Sequence, residues 1–410
     1  MKRAVVAQSS RLRLTLASAF LCACSGSASS GADAVTANDG VGAVEGSPNR
    51  RPSEDEGRQE ADTSDAAVDA FDEAMRLGDS ALYSGNYEAA RLSFLRAMEL
   101  RDDSMSPALG AIRSMVIEGQ AEARTQIAER IRKKVKQLLD NEATAGSGWL
   151  LAARLALAER DAGAALDAAH LAVQELPEMG VSWRVLGESA MAAEHWGEAV
   201  DALQMAVALG LEAEAGTWER LADAQDELGD LEAAEKSARQ AVEMTGSDPH
   251  ARRRRLNLLA AILKHRMNLE DAQKVAEQAR ALGPNDPAVL HNLGAIAEAK
   301  NQPDVALAFY QQAVAVVPVP MTLWRLGRLQ LELDRPQDAL LSFKKAAGNL
   351  SRWSWPLTDR WLPAYEVGKL YGRAELWPDA IGWFEDALRE ARTADAIREV
   401  QSWLAYARLQ

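Results

Sequence analysis

The stretch DPAVLHNLGAIAEAKNQPDVALAFYQQAVAVVP, residues 286–318 of the 410-residue chain, decides the fold. Its small residues Gly294 and Ala306 allow two helices to approach closely, and Leu290 fills the space between them. Pro318 ends the second helix, because proline cannot continue a helix. The stretch therefore predicts two paired helices joined by a short turn.

The same pattern recurs along the chain at intervals of 33 to 41 residues. Its units start near Phe71, Met105, Gly146, Gly180, Ala215, Arg253, Pro287, Pro320 and Trp361. An alanine follows the turn at Ala90, Ala165, Ala199, Ala234, Ala272, Ala306, Ala339 and Ala380. A later alanine stands at Ala97, Ala172, Ala206, Ala241, Ala279, Ala313, Ala346 and Ala387. Only the second unit lacks both, with Arg124 and Ile131 in their places. No unit can bury its apolar face alone, so we expect each to pack on its neighbours.

A period near 34 residues with these positions resembles the tetratricopeptide repeat. Residues 286–318 match the repeat most completely, and Gly85–Leu100 (GNYEAARLSFLRAMEL) match its turn and second helix. The resemblance implies an all-α fold, a right-handed helix–turn–helix superhelix (solenoid) of about nine repeats over residues 67–392. Residues 393–410 are then a C-terminal capping helix. The resemblance also implies that the first helix of each unit lines a concave groove in which other proteins bind.

Composition excludes several classes of function. The chain has 60 acidic and 46 basic residues, so it makes a poor general ligand for nucleic acid. Its two cysteines, Cys22 and Cys24, leave the rest of the chain without a disulfide, a thiolate metal site or a cysteine nucleophile. The catalytic motifs of serine hydrolases, phosphate-binding loops and zinc proteases are absent from the sequence. We therefore expect no enzyme activity, no cofactor and no metal.

The N-terminus has the pattern of a secretory signal. Residues 1–13 are basic, and Leu14 to Leu21 form an apolar segment too short to span a bilayer. The sequence Leu21-Cys22-Ala23-Cys24 resembles the lipobox of bacterial lipoproteins. The resemblance implies a signal peptide at 1–23 and acyl chains, such as palmitate, on Cys24, which together anchor firmly. The alternative is an ordinary signal peptide that leaves a soluble secreted protein.

The residue after the cysteine bears on the destination. It is Ser25 rather than aspartate, which predicts the outer membrane by the sorting rule of enterobacterial lipoproteins. We expect the protein to lie on the periplasmic face of the outer membrane; exposure at the cell surface is the alternative. Residues 24–66 are rich in glycine, serine, alanine and acidic residues, so they predict a disordered linker. Such a linker has a typical reach of roughly 35 Å.

The predicted groove carries opposite charges along its length. The fifth repeat contributes Glu219, Asp223, Asp226 and Glu227. The sixth to eighth repeats contribute Arg254, Asn257, Lys264, His265, His291, Asn292, Trp324, Arg325 and Arg328. Complementary charge chooses the orientation of a bound segment, so these residues are the predicted partner-binding site. The alternative is that they are solvated helix faces.

The best-known peptide site of the family is a clamp for a C-terminal carboxylate. Asn292 and Arg325 stand at two of its five positions, whereas Asn257, Ala261 and Met321 occupy the others and its lysines are missing. A clamp of this kind is therefore not expected here.

Two segments depart from the period. The second unit has a long helix whose apolar stripe predicts core, at Ile127, Ile131, Val135, Leu138 and Leu139. Its basic residues are expected in solvent or against lipid headgroups, at Arg130, Arg132, Lys133, Lys134 and Lys136. An insertion at 349–360 carries Trp353 and Trp355, which either form an exposed anchor for a partner or fold back over the preceding helix.

These observations favour a membrane-anchored scaffold or adaptor for envelope proteins. Lipoproteins with such arrays resemble pilotins, which help pilus secretins to assemble, and adaptors that gather peptidoglycan enzymes. The alternatives are a glycan- or peptidoglycan-binding lipoprotein and a regulatory subunit of an envelope enzyme.

Overall fold

A computed structural model describes residues 70–410, except 83, 85, 101–105, 118–120, 212–213 and 351–358. Cys24, the linker at 24–66, Trp353 and Trp355 lie outside the described residues. Within them the chain forms helices and no strand, which confirms the all-α fold. No helix in this part of the chain combines the length and the apolar character needed to cross a bilayer.

The described residues divide into two compact units, one ending at Pro177 and the other running from Glu178 to Gln410. The first unit contains α1 (70–82), α2 (Tyr87–Leu100), α3 (Ser106–Ile117), α4 (Ala121–Leu139), α5 (Ala145–Glu159) and α6 (Ala162–Glu175). The second unit contains α7 (Gly180–Ala192), α8 (Trp196–Ala206), α9 (Ala215–Leu228), α10 (Leu231–Glu243), α11 (Pro249–His265), α12 (Leu269–Leu282), α13 (Pro287–Ala299), α14 (Pro303–Val316), α15 (Pro320–Glu332), α16 (Pro336–Asn349), α17 (Leu362–Arg373), α18 (Trp377–Glu390) and α19 (Ala394–Arg408). Consecutive helices pack as pairs, α7 on α8 through α17 on α18, as helix–turn–helix repeats require.

Both alanine columns lie in the core. Every alanine of the two columns is at most 1% exposed, which confirms the register of the repeat. The small residue of the first helix makes the closest contact within a pair. At Gly294 an added Cβ would lie 2.7 Å from the ring of Tyr310, and at Gly327 it would lie 2.7 Å from the ring of Phe343. Glycine is needed here because the aromatic ring occupies the space of a side chain.

Seven described turns between paired helices share one backbone conformation. A left-handed residue stands one or two positions after the end of the first helix, at Arg160, Glu194, Gly229, Met267, Asn301, Asp334 and Glu375. After α11, the N–H groups of Met267 and Asn268 donate to the carbonyls of Lys264 and Leu263, which closes the helix end. Glycine occupies only one of the seven positions, so six turns hold a side chain in a conformation that costs free energy.

The long helix α4 departs from the repeat, and its polar face differs from the expectation. Ile127, Ile131 and Leu138 are buried, as expected for core. Lys134, however, is only 3% exposed and does not join a solvated basic face, because it lies on the side of α4 that packs against the unit. Arg130 is exposed and pairs with Glu99 at 3.0 Å. The face that remains in solvent is therefore smaller than the sequence predicts.

The last helix, α19, packs its apolar stripe on α18. Val400 and Leu404 are buried, and the ring of Trp403 stacks on Phe384 with 5.9 Å between ring centroids. The opposite side of α19 is polar and exposed. The helix therefore covers the apolar side of α18. The boundaries of the repeat array at 67–392 and of the capping helix at 393–410 remain predictions.

Candidate functional site

The predicted groove residues lie on the side of the first helices that we call the first-helix face. It is the side of α7, α9, α11, α13, α15 and α17 that turns away from the paired second helix. Asp223 follows the buried Ala222, and Arg328 follows Gly327. Because a helix turns by about 100° per residue, these side chains point away from the paired helix. The repeat thus places Glu188, Asp223, Arg328 and Lys369 at one position of this surface, whereas buried alanines, Ala261 and Ala295, hold that position in α11 and α13.

An ion pair joins α9 to α11 at one level of this face. Glu219 accepts hydrogen bonds from Arg254 at 2.6 and 2.9 Å and from Arg255 at 3.1 Å. Arg255 also donates to the hydroxyl of Thr245 at 2.9 Å. Burial acts to raise the pKa of the Glu219 carboxyl, but the arginine bonds and charges outweigh it, so the pKa lies below its ordinary value. Glu219 is therefore ionised and committed to its neighbours.

A second pair joins the same two helices further along. The Nδ1 atom of His265 lies 2.9 and 3.0 Å from the two carboxylate oxygens of Asp226. The Asp226 side chain is only 1% exposed, so a partner cannot reach it without displacing His265. No group of three or more histidine, cysteine or acidic residues in the described part of the chain is arranged to hold a metal ion.

Asp223 lies between these two pairs and differs from both. Its side chain is half-buried, and it makes no hydrogen bond or ion pair with any described residue. Burial raises the pKa of its carboxyl well above the ordinary value, and the carboxylates of Glu219, Asp226 and Glu227 raise it further against the opposing charge of Arg220. Asp223 is thus an acid that lacks a cation of its own.

Lys264 is the corresponding cation on α11. It is half-buried and forms no ion pair with a carboxylate among the described residues. Burial lowers the pKa of its ammonium group to about 8, and the charge of Arg325 adds to this, while Asp226 and Glu298 oppose it. Asp223 and Lys264 therefore place an acidic and a basic group, neither in an ion pair, on neighbouring first helices.

His291 belongs to a neutral part of the face. Its Nδ1 lies 3.0 Å from the hydroxyl of Thr322, and its ring centroid is 5.5 Å from that of Tyr310. Burial lowers its pKa to about 3, helped by the charges of Arg325 and Lys264, so the imidazole is neutral at physiological pH. Tyr310 donates to Glu298 at 2.8 Å, and Arg325 lies 3.5 Å from the same carboxylate.

The two predicted asparagines are not on the accessible surface. The Asn292 amide donates to the side-chain oxygen of Asn257 at 2.8 Å and to its backbone carbonyl at 3.2 Å. Their exposed fractions are 5% and 4%. We therefore exclude both from the surface that a partner touches, because each amide is buried and bonded to the other across one repeat.

The most accessible predicted residue lies on α15. The Arg328 side chain is 49% exposed, and its guanidinium lies 5.1 Å from the ring centre of Trp324. Its nearest carboxylate, that of Glu332, is 3.8 Å away. Stacking of this kind holds an arginine in place while its donors stay available.

The structure also extends the face to a repeat that the prediction left out. Arg220 of α9 pairs with Glu188 of α7 at 2.5 Å. Glu188 follows Gly187 just as Asp223 follows Ala222, so counting one repeat further back would have found it. Neighbouring first helices are thus linked from α7 to α15, by charged pairs at every step except that from α11 to α13, where Asn292 bonds Asn257.

Comparisons with known proteins agree with this architecture. Residues 215–248 and residues 267–320 each match a family model described as tetratricopeptide repeat. No curated protein matches the chain in sequence.

Solved structures of human IFIT1 share the fold at low sequence identity. Human IFIT1, as a dimer with PPP-AAAA, has a TM-score of 0.51 at 14% identity, covering 84% of this chain and 87% of that chain. Human IFIT1 with m7Gppp-AAAA has a TM-score of 0.52 at 14% identity, covering 81% and 80%. The APC/C hetero-tetramer Cut9–Hcn1 has a TM-score of 0.46 at 12% identity, covering 80% and 74%. Residues 215–248 and 267–320 are therefore tetratricopeptide repeats, and the repeat register and the paired helices continue the same fold along the described residues.

Proposed function

We propose that this protein is a non-catalytic scaffold that binds a protein partner along the first-helix face. One observation carries the proposal: side chains able to bind a partner gather on this face. Asp223, Trp324 and Arg328 are all at least partly exposed there. Tryptophan and arginine are enriched among the residues that dominate binding energy at protein interfaces.

The pairs between first helices support such a role. Glu219 with Arg254, and Arg220 with Glu188, hold adjacent repeats at a defined spacing. A surface held in this way loses little conformational entropy when a partner binds, which favours affinity. The face is thus a preorganised template for an elongated segment.

The location is part of the same proposal and rests on the sequence of the N-terminus. Acyl chains on Cys24 anchor the protein in the outer membrane, and residues 24–66 let the repeats reach partners away from the bilayer. The repeats then gather envelope proteins on the periplasmic side. Assembly of a pilus secretin or of peptidoglycan enzymes is the kind of process that such a scaffold serves.

Affinity purification from cross-linked envelopes tests the proposal. The wild-type chain is compared with Arg328→Glu on the face and with Lys345→Glu, an exposed position on α16 outside it. We expect a small set of envelope proteins with the wild type and with Lys345→Glu, and their loss with Arg328→Glu at unchanged thermal stability. Capture of the same proteins by all three chains would place binding elsewhere.

A further inference from the structure

The helices α9 and α11 carry an acidic and a basic side chain, Asp223 and Lys264, that form no ion pair. Side-chain bonds join these helices at two levels, Glu219 to Arg254 and Asp226 to His265. Asp223 lies on α9 between the two levels, and Lys264 lies on α11 beside the second. Neither side chain forms an ion pair with another described residue, although paired groups surround both.

The arrangement sets the distance between the two charges. Packed helices lie roughly 8–10 Å apart, so a segment that crosses from α9 to α11 covers about one helix spacing. An extended chain advances roughly 3.3 Å per residue. A segment lying across α9 and α11 therefore spans the two charges with about three residues.

The two groups are also costly to the folded protein. Burial and three neighbouring carboxylates disfavour the charged form of Asp223, and burial together with Arg325 disfavours the charged form of Lys264. Stability given up at polar positions on a binding surface is typical of residues that serve function. A ligand that supplies the opposite charges offsets the part of the cost that comes from like charges nearby, at both positions.

We propose that Asp223 and Lys264 bind an extended segment of a partner protein that carries a basic side chain against Asp223 and an acidic side chain against Lys264. The inference rests on the proposed function and names the partner chemistry at this part of the first-helix face. The two charges lie about three residues apart in the bound segment. Their order along the segment sets its direction across the repeats.

Selection from a displayed library of random linear peptides tests this inference on the full chain. With the wild type we expect enrichment of peptides that hold a basic and an acidic residue two to four positions apart. Peptides selected on Asp223→Asn should no longer be enriched in the basic residue but should keep the acidic one. Peptides selected on Lys264→Met should keep the basic residue but no longer be enriched in the acidic one. The double variant Asp223→Lys/Lys264→Glu should enrich peptides with the two charges in the opposite order.

Binding measurements with one enriched peptide show how much each side chain contributes to the affinity. We expect fluorescence anisotropy to show an affinity at least about tenfold weaker for each single variant, as for removal of one partner of a partly buried charge pair. The matched controls are Asp304→Asn on α14 and Lys345→Met on α16, both exposed and outside the face. They should bind as the wild type does, and circular dichroism should show that every variant is folded.

Two results would overturn the inference. One is that no peptide is enriched, and the other is that enriched peptides bind all variants equally. The proposed function is judged separately: if envelope proteins are captured through Arg328 but peptides ignore Asp223 and Lys264, the scaffold stands and this partner chemistry does not. Loss of capture altogether would remove both.

Discussion

Most charged side chains on the first-helix face are bonded to a residue one repeat away. Arg254 reaches back 35 positions to Glu219, and His265 reaches back 39 positions to Asp226. Such pairs contribute modestly when exposed and more when partly buried with good hydrogen bonds, as the bidentate Arg254 is. Asp223 and Lys264 differ from these residues because they are also partly buried among charged groups but form no ion pair.

Replacement of Asp223 by asparagine should stabilise the protein at neutral and mildly basic pH. The pKa of Asp223 is raised in the folded state, so its ionisation costs the folded protein at pH values above the folded pKa. Below the ordinary value of 3.8 the carboxyl is protonated in both states and the cost disappears. We expect a melting temperature a few degrees higher at pH 8 and a difference that vanishes near pH 3.5, measured by calorimetry.

The control for this measurement is Asp201→Asn, at an exposed position in the interior of α8. It should leave the melting temperature unchanged at both pH values. A lower melting temperature for Asp223→Asn at pH 8 would mean that the carboxylate has a stabilising partner.

Close contact in the helix pairs makes a second prediction. Gly294→Ala places a Cβ at 2.7 Å from the Tyr310 ring, which must move in a packed core. We expect destabilisation by about 1–3 kcal/mol in urea unfolding, the usual cost of overpacking. Gly382→Ala in α18 is the matched control, since no atom lies within 4 Å of its new Cβ. That change should stabilise by about 0.5–1 kcal/mol, because alanine is the better helix former. Equal effects of the two substitutions would contradict the close approach of α13 to α14.

At the level of helices and turns, the left-handed conformation of the turn residue is set by the packing of the paired helices rather than by the residue type. Seven turns share a left-handed residue, yet only Gly229, Asn301 and Asp334 have residue types that favour it. Packing of the paired helices imposes this conformation on arginine, glutamate, methionine, asparagine and aspartate alike. Intrinsic turn preference therefore predicts these positions poorly, whereas the repeat register locates them.

The turn after α11 offers a direct test. Met267 has a φ of 62° and its side chain is 66% exposed, so Met267→Gly removes strain and gives up little packing. We expect a gain of about 1 kcal/mol in the free energy of unfolding. Gly229→Ala, at the same position of another repeat, should lose a similar amount. If Met267→Gly is destabilising, its side chain makes contacts that outweigh the strain.

At the scale of the whole molecule, the anchor and the repeats have separate physical roles. The repeats hold their form by packing of neighbouring units, and the proposed lipid on Cys24 decides where they act. Expression with the native signal in a Gram-negative host tests the anchor. The wild type should sediment with membranes and need detergent for extraction, whereas Cys24→Ala should lose the membrane association. A wild-type chain that is soluble and monodisperse without detergent would favour the ordinary signal peptide.

The repeat fold was predictable because it depends on local periodicity. The alanine columns at one register identify the paired helices, and all their members are buried. The site was predictable only in outline. The register places Asp223, Asn257 and Asn292 on one face, but it does not show that the two asparagines bond to each other and are buried. Nor does it show that Lys134 of α4 turns inward, because α4 leaves the repeat pattern.

The sequence by itself therefore determined the helices, their pairing and the face on which charge gathers, since each follows from spacings within about 40 residues. Tertiary structure decided which of those charges are neutralised. Glu219, Asp223 and Asp226 are the same kind of residue on one helix, and only the position of α11 separates the paired carboxylates from the unpaired one. The reason is physical: a charge-assisted hydrogen bond needs atoms within about 3 Å, and packing of the helices sets that distance.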